Sequence, residues 1–259
     1  MDSEPPKVVY KFRDWNCTNH RNILYHNEIY LASPADFNDP FDCRIIPDFS
    51  LLDSHETKLE YLRTLQQVNP KNDINQGLKN LEDIIANPEN YERGHFEFDD
   101  KHLAIFCVGL KWDVIPLWSH YANFHTGFCV GFYLGKLLSA FPFSKMGNVN
   151  YHEYPSIDPR DRIDPHKYIE TSFKQTHYKA KEWEYEKEFR LTRKIENELI
   201  IQDRLIRLSD ECIAEITLGL NFPTIDIPKV EGIALVKKWP LYKAKKIPMK
   251  FGLDRERIQ

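Results

Sequence analysis

The sequence predicts an α+β protein in which a mixed or antiparallel sheet forms the core and helices pack on it. Short runs rich in β-branched and aromatic residues recur along the chain, as expected for strands. Two longer segments carry apolar residues at helical spacing. Hydrophobic residues make up 42% of the chain and aromatic residues 13%, which is enough to build a core. We predict a single domain over residues 1–259, with an acidic helical insertion at 51–100.

The chain begins with a strand, a helix and a second strand. Thr18 or Asn19 is a suitable N-cap for the helix. Pro34 ends the second strand because proline lacks the amide that a strand ladder needs. The predicted elements are strand 8–13, helix 19–26, strand 28–32 and a turn at 38–40.

The insertion consists of two helices, predicted at 54–68 and 73–86 and separated by Pro70. Residues 51–100 hold 11 acidic and 5 basic side chains. Strand patterns return afterwards, and Pro240 and Pro248 bracket the last strand, which predicts an edge position. The remaining predicted elements are strands 103–109, 127–132, 148–151, 185–192, 205–208, 213–218 and 241–247, helices 116–122 and 166–182, and an exposed loop at 155–165.

Charge and cysteine usage narrow the class of protein. The net charge of −4 argues against general nucleic-acid binding. Residues 236–259 hold 8 basic and 2 acidic side chains, which indicates either a solvated face or an anion- or partner-binding tail. The five cysteines form no CxxC pair, which favours reduced thiols, a cytoplasmic location and no zinc site. Residues 1–7 do not resemble a signal peptide, and no apolar run is long enough to cross a membrane.

Known enzyme motifs exclude several activities. The chain has no Walker loop, GxGxxG, GxSxG or HExxH motif, which disfavours an ATPase, a Rossmann dehydrogenase, an α/β-hydrolase and a zincin.

Four polar clusters remain as candidate sites. In 183–190, a strand would place Glu184, Glu186, Glu188 and Arg190 on one face, as a paired-carboxylate site or as a solvated edge. The segment 118–121 contains His120, for which a packed or capping role is favoured. In 37–42, a turn held by Asx hydrogen bonds is favoured. Lys11 and Arg13 share a strand face and could hold a phosphate or form surface salt bridges.

Taken in order, these clusters resemble a bacterial family catalogued as domain of unknown function 2971. The matching segments are Tyr-Lys-Phe-Arg at 10–13, Ile-Tyr-Leu-Ala-Ser-Pro at 29–34, Phe-Asn-Asp-Pro-Phe-Asp at 37–42, Leu-Trp-Ser-His-Tyr-Ala at 117–122, Gly-Phe-Cys-Val-Gly-Phe at 127–132 and Trp-Glu-Tyr-Glu-Lys-Glu-Phe-Arg at 183–190. The name of that family records no function.

The layout is more distantly similar to the ADP-ribosyltransferase superfamily, which implies NAD as a substrate. The resemblance implies that Arg13 holds the NAD phosphates and that Glu188 binds the nicotinamide-ribose hydroxyl. Glu186 would orient the acceptor or a water. The resemblance also implies that Tyr121 or Trp118 stacks on nicotinamide, with His120 beside them. Ser33 would contact the cofactor at the position where the superfamily has a Ser-Thr-Ser strand.

Three functions follow as expectations. The first is an ADP-ribosyltransferase or NAD glycohydrolase, such as a toxin or phage-defence effector, acting on an unknown macromolecular acceptor or on water. The second is a nucleotide-sensing or partner-binding module without turnover. The third is a metal-dependent nuclease using Asp39, Asp42, Glu186 and Glu188 as ligands, which would suit a nucleic-acid partner for the basic tail. The preferred first reading includes no metal site and no membrane partner.

Overall fold

An eight-stranded mixed sheet with helices around it is the largest element of the computed structural model, which describes residues 4–259. The predicted α+β fold class is therefore confirmed. Residues 1–3, on which part of the signal-peptide argument rests, lie outside the described residues. None of the helices within 4–259 is both long and apolar enough to span a bilayer.

The secondary structure consists of short strands and of helices of very different lengths. The strands are β1 (Val8–Arg13), β2 (Glu28–Tyr30), β3 (Leu103–Gly109), β4 (Phe128–Tyr133), β5 (Lys145–Asn148), β6 (Asn150–His152), β7 (Tyr178–Ala180), β8 (Glu188–Lys194), β9 (Leu205–Arg207), β10 (Ile213–Leu218), β11 (Leu241–Lys246) and β12 (Leu253–Arg257). The helices are α1 (Thr18–Tyr25), α2 (His55–Val68), α3 (Ile74–Ala86), α4 (Pro88–His102), α5 (Ile115–Tyr121), α6 (Leu134–Ala140), α7 (Tyr168–His177), α8 (Ile201–Arg204) and α9 (Ile227–Lys237).

The chain divides into two compact units, each built from separate segments. The first unit comprises residues 4–32, 104–149 and 182–259. The second comprises residues 33–103 and 150–181. The predicted helical insertion lies within the second unit.

The sheet of the first unit has the strand order β12-β11-β10-β4-β1-β3-β8-β5. All six residues of β1 pair antiparallel with β4, from Val8 opposite Tyr133 to Arg13 opposite Phe128. Val9 on β1 joins the main hydrophobic core, whereas Phe12 joins a smaller core on the other face. The alternation of the first predicted strand thus supplies both faces of the sheet with apolar side chains.

β1 and β3 separate after a short contact. Within the described residues they pair only at Tyr10 and Gly109, although β1 pairs with β4 along its full length. The sheet therefore opens beside Lys11 and Arg13, and this opening positions the candidate site.

The second unit is mainly helical. The apolar spacing predicted for its first two helices is confirmed: Leu62 of α2 and Leu81 of α3 are buried together with Phe49 and Leu52. A two-stranded parallel pair, β6 with β7, completes the unit. The buried Asp42 carboxylate pairs with Lys179 of β7 at 3.3 Å, which stabilises both charges away from water.

The helices α4, α6, α8 and α9 and the strand β12 were not predicted. Helix α4 is polar around its circumference, helix α9 is apolar without a clear face, and β12 (LDRER) is mostly charged, so none shows a helical or alternating pattern. The predicted edge position of the strand at 241–247 is wrong. β11 lies between β10 and β12, and Pro240 and Pro248 lie outside its ends.

Three predicted boundaries are also wrong, including that of the strand predicted at 185–192, which begins at Glu188. The helix predicted at 166–182 ends at His177 and is followed by β7. The strand predicted at 148–151 is two strands, β5 and β6, separated at Val149.

Gly127 tests how tightly the start of β4 packs against the end of β1. A Cβ at Gly127 would run into the carbonyl oxygen of Arg13 and approach Ala122 Cα at 3.0 Å. We expect Gly127→Ala to lower the free energy of unfolding by about 2–3 kcal/mol because the strand pair must shift. Urea denaturation measures the change. Gly232→Ala is the control, since it meets open space in α9 and should raise the value by about 0.5–1 kcal/mol. Equal values for both variants would contradict this packing.

Candidate active site

Lys11 crosses the opening between β1 and β3. Its Nζ donates a hydrogen bond to the carbonyl oxygen of Cys107 on β3 at 2.6 Å and lies 5.4 Å from the centre of the Phe106 ring. Burial and then the positive charge of Arg13 lower the pKa of Lys11 from 10.5 to about 7. The negative charges of Glu188 and Glu186 act in the opposite direction. Lys11 is therefore close to cations on one side and to both glutamates on the other.

Arg13 is a partly exposed cation without a hydrogen bond or ion pair to any of residues 4–259. Burial lowers its pKa to about 10. Nearby, the pKa of His20 falls to about 4 because of burial and then the charges of Arg13 and Lys11. The His20 Nδ1 accepts a hydrogen bond from the Asp14 amide at 3.2 Å. Lys11, Arg13 and His20 form a basic cluster whose mutual repulsion an anion would relieve.

The segment that carries the glutamates is a strand only in its second half. Lys181–Glu186 forms 3₁₀ turns, Lys187 has a φ of 45°, and β8 starts at Glu188. The prediction that Glu186 and Glu188 share one strand face is therefore wrong. A continuous strand would align three like charges on one face. The left-handed backbone at Lys187 instead separates the two carboxylates.

Each glutamate has its own partner. The buried Glu186 accepts a hydrogen bond from the Tyr121 hydroxyl at 2.7 Å. Arg190, which is fully buried, donates from Nε and from a terminal nitrogen to the two Glu188 carboxylate oxygens at 2.7 and 2.9 Å. Burial, then the charge of Glu188, raises the pKa of the Cys107 thiol beside this pair. The thiol therefore stays neutral, and Arg190 compensates the charge of Glu188 and fixes its orientation.

The basic cluster and Glu188 start from different faces of the sheet. Phe189 and Leu191 join the same core as Val9. By strand alternation Lys11 and Arg13 share the face of Val9, whereas Glu188 and Arg190 take the opposite one. Arg13 and the two glutamates are thus connected through Lys11 at the opening of the sheet, with no direct contact between them.

An aromatic cluster lies beside Glu186. His120 is exposed, and its ring centre is 6.3 Å from that of Tyr121 and 6.1 Å from that of Tyr185. Trp183 continues the cluster at 6.1 Å from Tyr185. The rings are tilted by 36° to 66° from one another and provide a partly exposed aromatic surface next to a carboxylate.

Trp118 belongs to the smaller core. It is fully buried, meets Phe12 edge-on at 5.1 Å, and donates its indole N–H to the Trp112 carbonyl at 2.7 Å. Its ring is parallel to that of His125 at 5.9 Å. Trp118 is therefore a core residue rather than the stacking partner that the resemblance implies.

Ser33 and the aspartates of the 37–42 motif lie in the second unit. Ser33 donates to the Asp100 carbonyl at 2.8 Å and caps the 3₁₀ turn at Pro34–Asp36, and its cofactor contact stays a prediction. Asp39 Oδ1 accepts from the Phe41 amide at 2.9 Å, which is the expected Asx turn. Within 4–259, no three Asp, Glu, His or Cys side chains are grouped as a metal site would require. The nuclease alternative gains no support from this arrangement.

Sequence reasoning missed His20 and Cys107 as parts of the site, and it placed Arg190 in the cluster with Glu188 without assigning their ion pair. Arg190 follows Glu188 by two residues on one strand, and this spacing was a usable indication of an ion pair. His20 and Cys107 reach the site through the pairing of distant strands, which no local pattern reveals.

The comparison with protein families supports part of the resemblance. Residues 117–191 match a family described as "Protein of unknown function (DUF2971)". The match includes the segment of Tyr121 and the segment of Glu186, Glu188 and Arg190. No curated protein and no solved structure matches the chain.

The lowered pKa of Lys11 predicts a pH-dependent stability. Between pH 7 and 10.5 the unfolded chain keeps the lysine proton that the folded protein loses, so the unfolded state binds more protons and stability rises with pH. We expect a gain of at most about 2 kcal/mol from pH 7 to about pH 8.5. Urea denaturation at both pH values measures it. Lys11→Met should lose this increment and the exposed control Lys7→Met should keep it, whereas equal pH dependence in both variants would contradict the assignment.

Proposed function

We propose that this protein binds NAD and cleaves its bond to nicotinamide, passing ADP-ribose to a macromolecular acceptor or to water. The observation that carries the proposal is a basic cluster of Lys11, Arg13 and His20 in which the Arg13 guanidinium has no partner among residues 4–259 and Lys11 is electrostatically coupled to Glu186 and to the Arg190-bound Glu188. Cytoplasmic NAD would be the substrate. Consumption of NAD would suit a toxin or phage-defence effector.

The basic cluster suits a pyrophosphate. Arg13 has all its guanidinium donors available to phosphate oxygens in a two-point contact. The positive charges of Arg13 and Lys11 lower the pKa of His20, so a doubly charged anion there would favour the protonated forms of Lys11 and His20. The aromatic cluster of His120, Tyr121 and Tyr185 is a suitable surface for the nicotinamide ring.

The glutamates suit the bond-breaking step. The bond between nicotinamide N1 and ribose C1′ breaks, and its electron pair leaves with the nitrogen as neutral nicotinamide. The positive charge that develops on the ribose is stabilised by Glu188, whose carboxylate Arg190 holds in place. The acceptor oxygen or nitrogen then bonds to C1′ and gives up its proton to Glu186 or to solvent.

One observation favours the second candidate, a nucleotide-sensing module without turnover. Both oxygens of Glu188 already accept hydrogen bonds from Arg190 in a buried pair, an arrangement that also occurs as pure structural support. In a module that binds NAD without cleaving it, Arg13 would still bind the phosphates, but Glu188 would have no catalytic role. The two variants below separate these candidates.

Glu188→Gln tests the catalytic role. The amide keeps the size and one acceptor oxygen but removes the charge, so nicotinamide release from NAD should fall by about 100-fold or more. Chromatography of free nicotinamide measures it, and thermal unfolding shows whether the variant keeps its fold. Glu184→Gln, an exposed neighbour in the same segment, should release nicotinamide like the parent. Release by a folded Glu188→Gln at the parent rate would refute the catalytic role.

Arg13→Gln tests the phosphate contact. Because the Arg13 side chain makes no hydrogen bond within residues 4–259, the variant should keep the melting temperature of the parent. Its affinity for NAD should fall about tenfold or more, since hydrogen bonds to charged groups are lost. Isothermal titration calorimetry measures the affinity, and the exposed Arg207→Gln is the control. Equal NAD affinity in parent and Arg13→Gln would exclude this binding site.

A further inference from the structure

The hairpin of β11 and β12 extends past the end of the main sheet. β11 runs parallel to β10 only as far as Lys243, opposite Leu218. The three following residues pair with β12 alone, and the last of these pairs joins Lys246 to Leu253. The Ile247 amide donates to the Gly252 carbonyl at 3.1 Å, which closes an ordered turn. The tip of the basic tail is thus a structured projection.

The tip combines apolar and basic side chains in full contact with solvent. Met249 and Phe251 are completely exposed. Lys246 and Lys250 are exposed and form no ion pair with residues 4–259, unlike Lys245, which lies 3.5 Å from Asp254. Exposed apolar side chains grouped with unpaired cations indicate an anionic partner that also offers apolar or aromatic surface.

A second exposed aromatic side chain lies on a loop near this tip. Asn123, Phe124 and His125 all have left-handed backbones, with φ of 45°, 53° and 66°, and three such residues in succession are costly. Asn221 holds the loop through its amide to the His125 carbonyl at 2.9 Å and its side chain to the Phe124 carbonyl at 3.2 Å. Phe124 is nevertheless 73% exposed. Lys246 is close enough to lower the pKa of His125, after burial.

This surface lies at the same end of the sheet as Arg13. The strand register places Arg13, Phe128, Leu218 and Lys243 in one row across β1, β4, β10 and β11. Three strand spacings of about 4.8 Å separate Arg13 from Lys243. The hairpin tip therefore projects from the edge at which the basic cluster ends.

We propose that the rim formed by Phe124, Lys246, Met249, Lys250 and Phe251 binds single-stranded nucleic acid. Phe124 and Phe251 offer rings on which bases can stack, and the two unpaired lysines offer charges for the phosphates between them. The acidic character of the whole chain suits a short single-stranded footprint better than a long duplex one. A membrane surface is less well matched, because Lys246 and Lys250 interrupt the apolar side chains that would have to enter the lipid.

The rim also identifies an acceptor class. If NAD is cleaved as proposed, a single-stranded nucleic acid held at the rim would supply the nucleophile that receives ADP-ribose. This role rests on the proposed function. Binding itself does not depend on NAD. A test of binding without NAD therefore fails or succeeds independently of nicotinamide release.

The experiment is fluorescence anisotropy of the full chain with labelled DNA and RNA single strands of about 12 nucleotides and with the corresponding duplexes. At about 50 mM salt we expect saturable binding of a single strand, weakening as salt is raised. Phe124→Ala and Phe251→Ala should each reduce the affinity about fivefold or more. Lys246→Gln and Lys250→Gln should each reduce the slope of log affinity against log salt by about 0.7.

The controls lie at the opposite end of the sheet. Tyr133→Ala removes an exposed aromatic ring and Lys7→Gln an exposed charge, and both should bind like the parent. Absence of single-strand binding, or equal binding by the rim variants, would overturn the proposal. So would rim-dependent binding to phosphatidylserine-containing vesicles without binding to oligonucleotides, which would assign the rim to a membrane surface.

Discussion

Two positive charges held two residues apart on a central strand are the constraint on which the candidate site depends. Lys11 and Arg13 lie on β1, whose apolar neighbours Val9 and Phe12 anchor both faces of the sheet. The continuous pairing of β1 with β4 fixes the face of the sheet on which both charges lie. Burial and the charge of Arg13 favour the neutral form of Lys11 and lower its pKa to about 7. A bound anion would reverse that effect, which couples ligand binding to the proton on Lys11.

The glutamates obey the opposite constraint, because two buried carboxylates cannot share a strand face without compensation. The left-handed backbone at Lys187 separates the two carboxylates. Each carboxylate also accepts hydrogen bonds from a different side chain, Glu186 from Tyr121 and Glu188 from Arg190. The result is a rigid carboxylate beside one whose donor is a neutral hydroxyl. Such a division suits a reaction in which one group stabilises charge and the other handles a proton.

Sequence patterns predicted several elements in which burial is one-sided or continuous. Strands β1 and β10 and helices α2 and α3 were recovered in this way, with bounds within a residue or so. Helix α4 and strand β12 were not, because their residues are mostly polar and their positions depend on neighbours distant in sequence. For the site, Arg13, Glu186, Glu188 and Tyr121 were identifiable from the chain, but the role of Lys11 as the link between them was not. That role depends on the separation of β1 from β3, which is a property of the whole sheet.

The division of the chain into discontinuous units has a consequence for how the protein is made. β1 is synthesised early, but its neighbour in the sheet, β4, follows more than a hundred residues later. β10, which pairs with the other side of β4, follows only after residue 212. A ribosome must therefore add most of the chain before the sheet of the first unit can close, so its folding depends on contacts of high sequence separation. The second unit has its own core from residues 33–103 and contacts that end at residue 181. All residues of the second unit are therefore synthesised before strands β8 to β12 of the first unit.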